Sequence, residues 1–262
     1  MKLMGVDVGF TKTRRSTGIA CLDENGLRGL EHTKTDWKFR EAAIPSGFRP
    51  SLIALDGPLV PLGMRVASRR CESAFSRAPF HNRCKPGLSH SVIGQDLLRA
   101  TRKACDEFGA LLKGTASPQF AISRNGPVVE AFPNAFLAVL MSDEEFIAQP
   151  PHDRGRRFDW LYKQMKDRLR DKLAKELDLT DEIWQHVNIT SNHDEKAALI
   201  CLLTAALAAK GRATAIGDPK GGWFWLPHRS LWEQWAKHGL DAVAAEMTRN
   251  GEPLDVFDGL RA

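Results

Sequence analysis

Four acids stand where an acid is costly unless it is used. Asp7 lies in the middle of the apolar run KLMGVDVG, Asp56 closes SLIALD, Glu130 sits near the end of GPVVEAFP, and Asp194 opens the apolar stretch HDEKAALICLLTAALAA. An unpaired carboxylate buried in an apolar element is strongly unfavourable. Converging carboxylates repel one another unless a cation holds them together, and hard oxygen ligands with room for water suit Mg2+ or Mn2+. A pair of such ions about 3.5 to 4 Å apart is the usual device for in-line attack on a phosphodiester. In that chemistry Asp7 bridges the metals, Asp56 and Asp194 each hold one, and Glu130 completes or orients the shell. Each acid also has a plainer reading. Asp7 ahead of Gly9 is a strand-end acceptor, Asp56 before Gly57 and Pro58 an Asx turn, Glu130 a salt-bridge partner, and Asp194 a helix cap. His193 and Glu195 flank Asp194 and compete with it for the late-helix role.

Charge is informative when counted by segment. The chain of 262 residues carries a net +5, yet Arg65 to Lys103 holds nine basic residues against two acids, and Arg154 to Lys175 nine against three. Concentrated basic charge is what a polyphosphate partner needs, because each neutralised phosphate releases counterions and adds affinity without demanding sequence. Arg65, Arg69, Arg70 and Arg77 are therefore expected to position phosphates. The alternative is that they solvate a helix face. In the second stretch the charges are interleaved with an apolar stripe of helical period, which favours the solvated-face reading.

The elements that must position these residues follow from pattern. KLMGVDVG, STGIACL and LRGLEHTKT read as three antiparallel strands, with DENG as the hairpin turn. Ser51 to Asp56 is a fourth strand, stopped by Gly57 and Pro58. Arg65 to Arg77 reads as a basic helix, and Val92 to Phe108 as another with Ile93, Leu97, Leu98 and Ala104 on one face. Gly126 to Pro133 is a fifth strand, and Asn134 to Met141 a short helix. Phe158, Leu161, Met165, Leu169, Leu173 and Leu177 mark a long amphipathic helix. A helix capped by Asn192 or Asp194 runs to Lys210 and is apolar nearly all round, so it is buried against the sheet. GWFWLP is a short aromatic strand segment between turns, read as core ahead of a base-stacking platform, and a last helical region begins near Trp232. With strands one and four adjacent in the order 3-2-1-4-5, Asp7 and Asp56 lie side by side.

These pieces resemble the domain of unknown function 429 family, regarded as nucleases of ribonuclease H-like fold. The resemblance is carried by GVDVG with STGIA, IALDGPL, RRCESAFSR, VVEAFP, HDEKAALICLLTAALAA and GWFWLP, spread over residues 3 to 227. It implies an α/β fold of five mixed strands flanked by helices, one domain over 1–262 with a helical basic insertion at about 62–125, a metal-dependent carboxylate site and phosphodiester hydrolysis. Ribonuclease H-like nucleases often place an acid directly before an alanine in the late helix, whereas here Lys196 precedes Ala197.

The leading expectation is thus a Mg2+- or Mn2+-dependent nuclease acting on nucleic acid. A second is a non-catalytic nucleic-acid-binding protein in which Lys196 has displaced a cation. A third uses the kinship of such a sheet with actin-like and sugar-kinase ATPases, where Gly9, Thr11 and Lys12 would cradle a nucleotide phosphate; the chain shows no second DxG-type loop and is short for two lobes. Five cysteines, Cys21, Cys71, Cys84, Cys105 and Cys201, are odd in number and unpatterned, and are expected to be reduced and mostly buried. Cys71, His81, Cys84 and His90 have ligand chemistry but no close CxxC pair, so a zinc site is not favoured. No apolar run approaches the ~20 residues of a membrane span, and no secretory signal opens the chain. A cytoplasmic protein is expected.

Overall fold

A computed structural model describes residues 1–10, 15–60, 68–112, 126–147 and 157–260. Its strands are β1 (Leu3–Asp7), β2 (Ser16–Asp23), β3 (Gly26–Lys34), β4 (Leu52–Asp56), β5 (Val128–Ala131), β6 (Ala213–Asp218), β7 (Gly222–Pro227) and β8 (Asp255–Leu260). They form one mixed sheet in the order β3-β2-β1-β4-β5-β7-β6-β8. The fold is α/β, with eight strands where five were expected. Ala213–Asp218 is interrupted by Gly217, and Asp255–Leu260 carries two acids and a glycine, so neither announces itself as a strand. Both are recruited by pairing, β6 lying between β7 and β8 and antiparallel to each.

The helices are α1 (Trp37–Ala42), α2 (Arg70–Phe75), α3 (His81–Cys84), α4 (Val92–Gly109), α5 (Pro133–Val139), α6 (Asp143–Ile147), α7 (Arg157–Leu173), α8 (Asp181–Ile189), α9 (His193–Ala209) and α10 (Gln234–Arg249). Strands β1, β4, β5 and β7 run parallel to their neighbours in that series. The central ones are apolar without alternation because both faces are covered. Leu3, Leu52 and Ala54 belong to the core beneath α9, whereas Met4, Val6, Ile53 and Leu55 belong to the core shared with α4. The segment after β4 serves both layers: α4 packs on β4, while α2 packs on β6 and β7.

Three expected elements are redrawn. The first basic helix is the short α2, and Arg65, like Thr11 and Lys12, lies outside the described residues. In α4 the buried stripe is Gly94, Leu98, Thr101, Cys105 and Phe108, while Ile93 is 68% exposed. Gly94 sets that orientation, because a Cβ there would meet the Leu88 carbonyl oxygen at 1.9 Å. The α7 stripe is buried as its period requires, although the helix ends at Leu173, with Leu177 buried beyond it. Trp223, Phe224 and Trp225 are core residues. All five cysteines are buried and unpaired. Among the described residues no helix is long and apolar enough to cross a membrane.

Candidate active site

The carboxyl ends of parallel strands are where open α/β sheets place their ligands, and there β1 and β4 end together. Leu3 pairs with Leu52 and the register runs without slip to Asp7 opposite Asp56. Side chains alternate along a strand, so Asp7 shares the face of Leu3 and Gly5, and Asp56 that of Leu52 and Ala54. This is the α9 face. Helix α9 reaches it because Gly5 and Gly18 carry no side chain. A Cβ on Gly5 would lie 2.3 Å from the Ala198 carbonyl oxygen, and one on Gly18 would lie 1.9 Å from that of Asp194. Gly18 is the register partner of Asp7, so the close approach sets the first turn of α9 beside the two strand-end carboxylates.

Of the three candidates on that turn, two turn away. His193 Nδ1 lies 2.8 Å from Asp159 of α7, and Glu195 is 3.1 Å from His32 of β3. Asp194 is buried, and among the described residues its carboxylate accepts no hydrogen bond. The cap is Asn192, whose side-chain oxygen accepts from the Asp194 and Glu195 amides, so Asp194 is free of that role. Lys196 is also turned outward. Its ammonium is 3.0 Å from Asp159 and 5.7 Å from the Tyr162 ring centre.

Glu130 belongs to a different arrangement. Its register partner is Leu55, one residue short of Asp56, and a one-residue offset sends a side chain to the opposite face. There it meets Arg69, whose guanidinium grips both carboxylate oxygens, one at 2.8 Å. The same guanidinium reaches Glu72 at 3.1 Å and donates to the Gly221 carbonyl. Glu130 also accepts the Leu59 amide at 2.8 Å, and Glu72 the Ser89 amide at 2.9 Å. Burial works against the Arg69 charge, but the carboxylates around it hold its proton more tightly than usual. Arg69 thus ties β5, α2, the segment after β4, the loop before α4 and the β6–β7 hairpin. It is a structural clasp, not a phosphate-binding side chain on a shared helix face. Arg70 turns to the Pro253 carbonyl at 2.7 Å, and Arg77 to Glu246 at 3.2 Å.

Electrostatics single out Asp56. Burial, and after it the nearby Glu130 charge, push its carboxyl from 3.8 up to about 7. The Cys201 thiol behind the strands is held well above its usual range by burial and by Asp56 and Asp7, so it stays protonated. A cavity of about 280 Å³ opens on Asp56 and is walled by Phe10, Ile93, Leu97, Phe132 and Phe224. Phe10 also lines a larger cavity, of about 790 Å³, on the other side.

A hard cation such as Mg2+ is held by one or two carboxylates while keeping several waters, and Asp7 with Asp56 fits that description. A three-carboxylate set for two ions is not assembled: among the described residues no three His, Cys, Asp or Glu side chains are grouped to hold a metal. Sequence reasoning missed Arg69 as a clasp, since its partners lie 61 positions away at Glu130 and 152 away at Gly221. It also missed the basic residues of the larger cavity, which fall outside the two basic stretches apart from Lys103. No protein-family model, curated protein or solved structure matches the chain.

Proposed function

We propose that this chain is a divalent-metal-dependent phosphodiesterase acting on nucleic acid, a reading that places it with the ribonuclease H-like proteins of the domain of unknown function 429 family. The observation that carries it is the in-register pairing of Asp7 and Asp56 at the ends of two parallel strands, on the face that the first turn of α9 and Asp194 approach. A cation between two adjacent carboxylates, one of them raised to about 7, favours their both being ionised at neutral pH. Bound there, Mg2+ or Mn2+ supplies an activated water and offsets charge developing on the phosphate. Asp7 and Asp56 would hold and orient that cation, and Asp194, whose backbone meets β2 at Gly18, would be the further acid drawn on for a second. Glu130 acts through the Asp56 charge and the Arg69 clasp, outside the ligand set.

The test is cleavage of end-labelled single-stranded, duplex, hybrid and branched DNA and RNA with Mg2+ or Mn2+. Wild-type cleavage should vanish in chelator and in Asp7→Asn, with the variant's circular dichroism and nucleic-acid binding retained. Full activity of Asp7→Asn removes the scheme.

A further inference from the structure

The 790 Å³ cavity is lined by Gly9 and Phe10 after β1, Arg15 before β2, Lys34 at the end of β3, Lys38 of α1 and Lys103 of α4. Its charges are of two kinds. At its floor Arg40 is buried and bonded to Glu107 at 2.8 Å, and Lys103 lies 3.6 Å from the same carboxylate. That part is internally neutralised. Arg15, Lys34 and Lys38 are exposed and form no ion pair among the described residues, and Asp36 is the one acid in the lining. The Lys34 and Lys38 ammoniums sit 4.9 and 4.8 Å from the centre of a single ring, Phe39. Three cations without an ion-pair partner among the described residues, two of them beside one aromatic ring, line a concavity of ligand-binding size.

Its position gives it a direction. Helix α4 walls both cavities, with Ala100 and Lys103 in the larger and Ile93, Gly94 and Leu97 in the smaller, and Phe10 stands in both linings. A chain of phosphates lying on Arg15, Lys34 and Lys38 and continuing past Phe10 arrives at Asp56. Duplex readers spread their contacts over about 1,000 Å² of surface or more, whereas a concavity with a few cations suits one strand tracked by its backbone.

We propose that the Arg15–Lys34–Lys38 cleft binds the phosphodiester backbone of single-stranded nucleic acid, about three phosphates at a time, and delivers the strand across Phe10 to Asp56. Its destination rests on the phosphodiesterase reading; the binding itself does not. Recognition is of backbone charge, so DNA and RNA strands bind with similar affinity.

Binding of a labelled oligothymidylate of about eight nucleotides, measured by anisotropy in chelator over a range of salt, isolates the cleft from any cleavage. For single strands log K falls with log salt by about 0.7 per phosphate engaged, so the wild-type slope should be about −2. In Lys34→Gln/Lys38→Gln it should fall to about −0.7, with Lys34→Arg/Lys38→Arg restoring it. Arg170→Gln, on α7 and paired with Asp181, should leave it unchanged. Unaltered melting of each variant shows that the fold is intact. Salt-insensitive binding, a slope unmoved by the double Gln variant, or affinity that does not rise between a mononucleotide and a trinucleotide each overturns the proposal. If binding behaves as expected while Asp7→Asn still cleaves, the cleft stands and the catalytic scheme fails.

Discussion

Asp56→Asn should make the protein more stable at neutral pH, and the size of the effect is set by the environment of this carboxyl. Its value rises from 3.8 to about 7 on folding. The folded state therefore holds this proton more tightly than the unfolded chain. Its contribution is fully present below about pH 4 and is lost as pH climbs through about 7. At about 1.4 kcal/mol per tenfold change in proton affinity, the whole range amounts to about 4 kcal/mol, an upper bound because the side chain keeps some contact with water. Asparagine is neutral throughout, so urea unfolding of wild type and variant should diverge steadily between about pH 4 and about pH 7 and level off above that, the wild type losing ground. Mg2+ should recover part of that loss in the wild type, since a cation held by Asp7 and Asp56 binds only the ionised, folded pair. It should do little for the variant. A stability difference that is flat with pH refutes the burial argument, and equal stabilisation of both proteins by Mg2+ refutes the placement of the cation.

Arg69→Ala should cost about 3–5 kcal/mol, because it leaves Glu130 and Glu72 buried without their cation; Arg70→Ala and Arg77→Ala should each cost under about 1 kcal/mol, as exposed contacts do. Chemical denaturation of the three variants separates a clasp from a row of equivalent surface arginines, and equal losses would contradict it. Lys196→Met should leave metal-dependent cleavage within about twofold of wild type while lowering stability by about 1 kcal/mol, since its partner Asp159 is half-buried on α7, away from the strand ends; a large loss of cleavage would place Lys196 in the site after all.

What the sequence discloses is governed by periodicity and its limits. Strands β1 and β4 were legible because they are apolar runs ended by turn chemistry, and α7 and α9 because a stripe of helical spacing and an all-apolar helix are hard to read otherwise. The adjacency of Asp7 and Asp56 followed once those strands were set side by side. That Glu130 would take the salt-bridge reading, with Arg69, depended on register: apolar content locates VVEA as a strand, but only its pairing with β4 shows which face the acid takes. β8 stayed hidden because DVFDGL has no apolar alternation strong enough to outweigh its two acids, and its pairing with β6 comes from 38 or more positions away. The cationic cleft was invisible for a different reason. Arg15, Lys34 and Lys38 are single charges in segments whose net balance is unremarked, and only the β2–β3 hairpin and α1 bring them to one concavity.

The choice between an enzyme and a binder that has lost its metal turns on the first residues of α9. In sequence, Lys196 occupies the place before an alanine where ribonuclease H-like nucleases, which the chain resembles, often carry an acid, and a lysine among carboxylates would substitute for a cation. The structure removes that substitution, because α9 presents successive residues about 100° apart and its sheet-facing line is fixed by Gly18 and Gly5 at Asp194, Ala198 and Leu202. Lys196 is two positions beyond Asp194 and so faces α7, where Asp159 takes its charge together with His193. Asp159 is held below the usual carboxylate range, by His193 and Lys196 against the opposing effect of burial, so the lysine's charge is already spent on a partner outside the strand-end site. No basic side chain described there answers Asp56, whose proton is instead retained up to about pH 7. On the reading proposed above, a carboxyl in that state beside a second acid suits a site that takes its countercharge from a cation in solution.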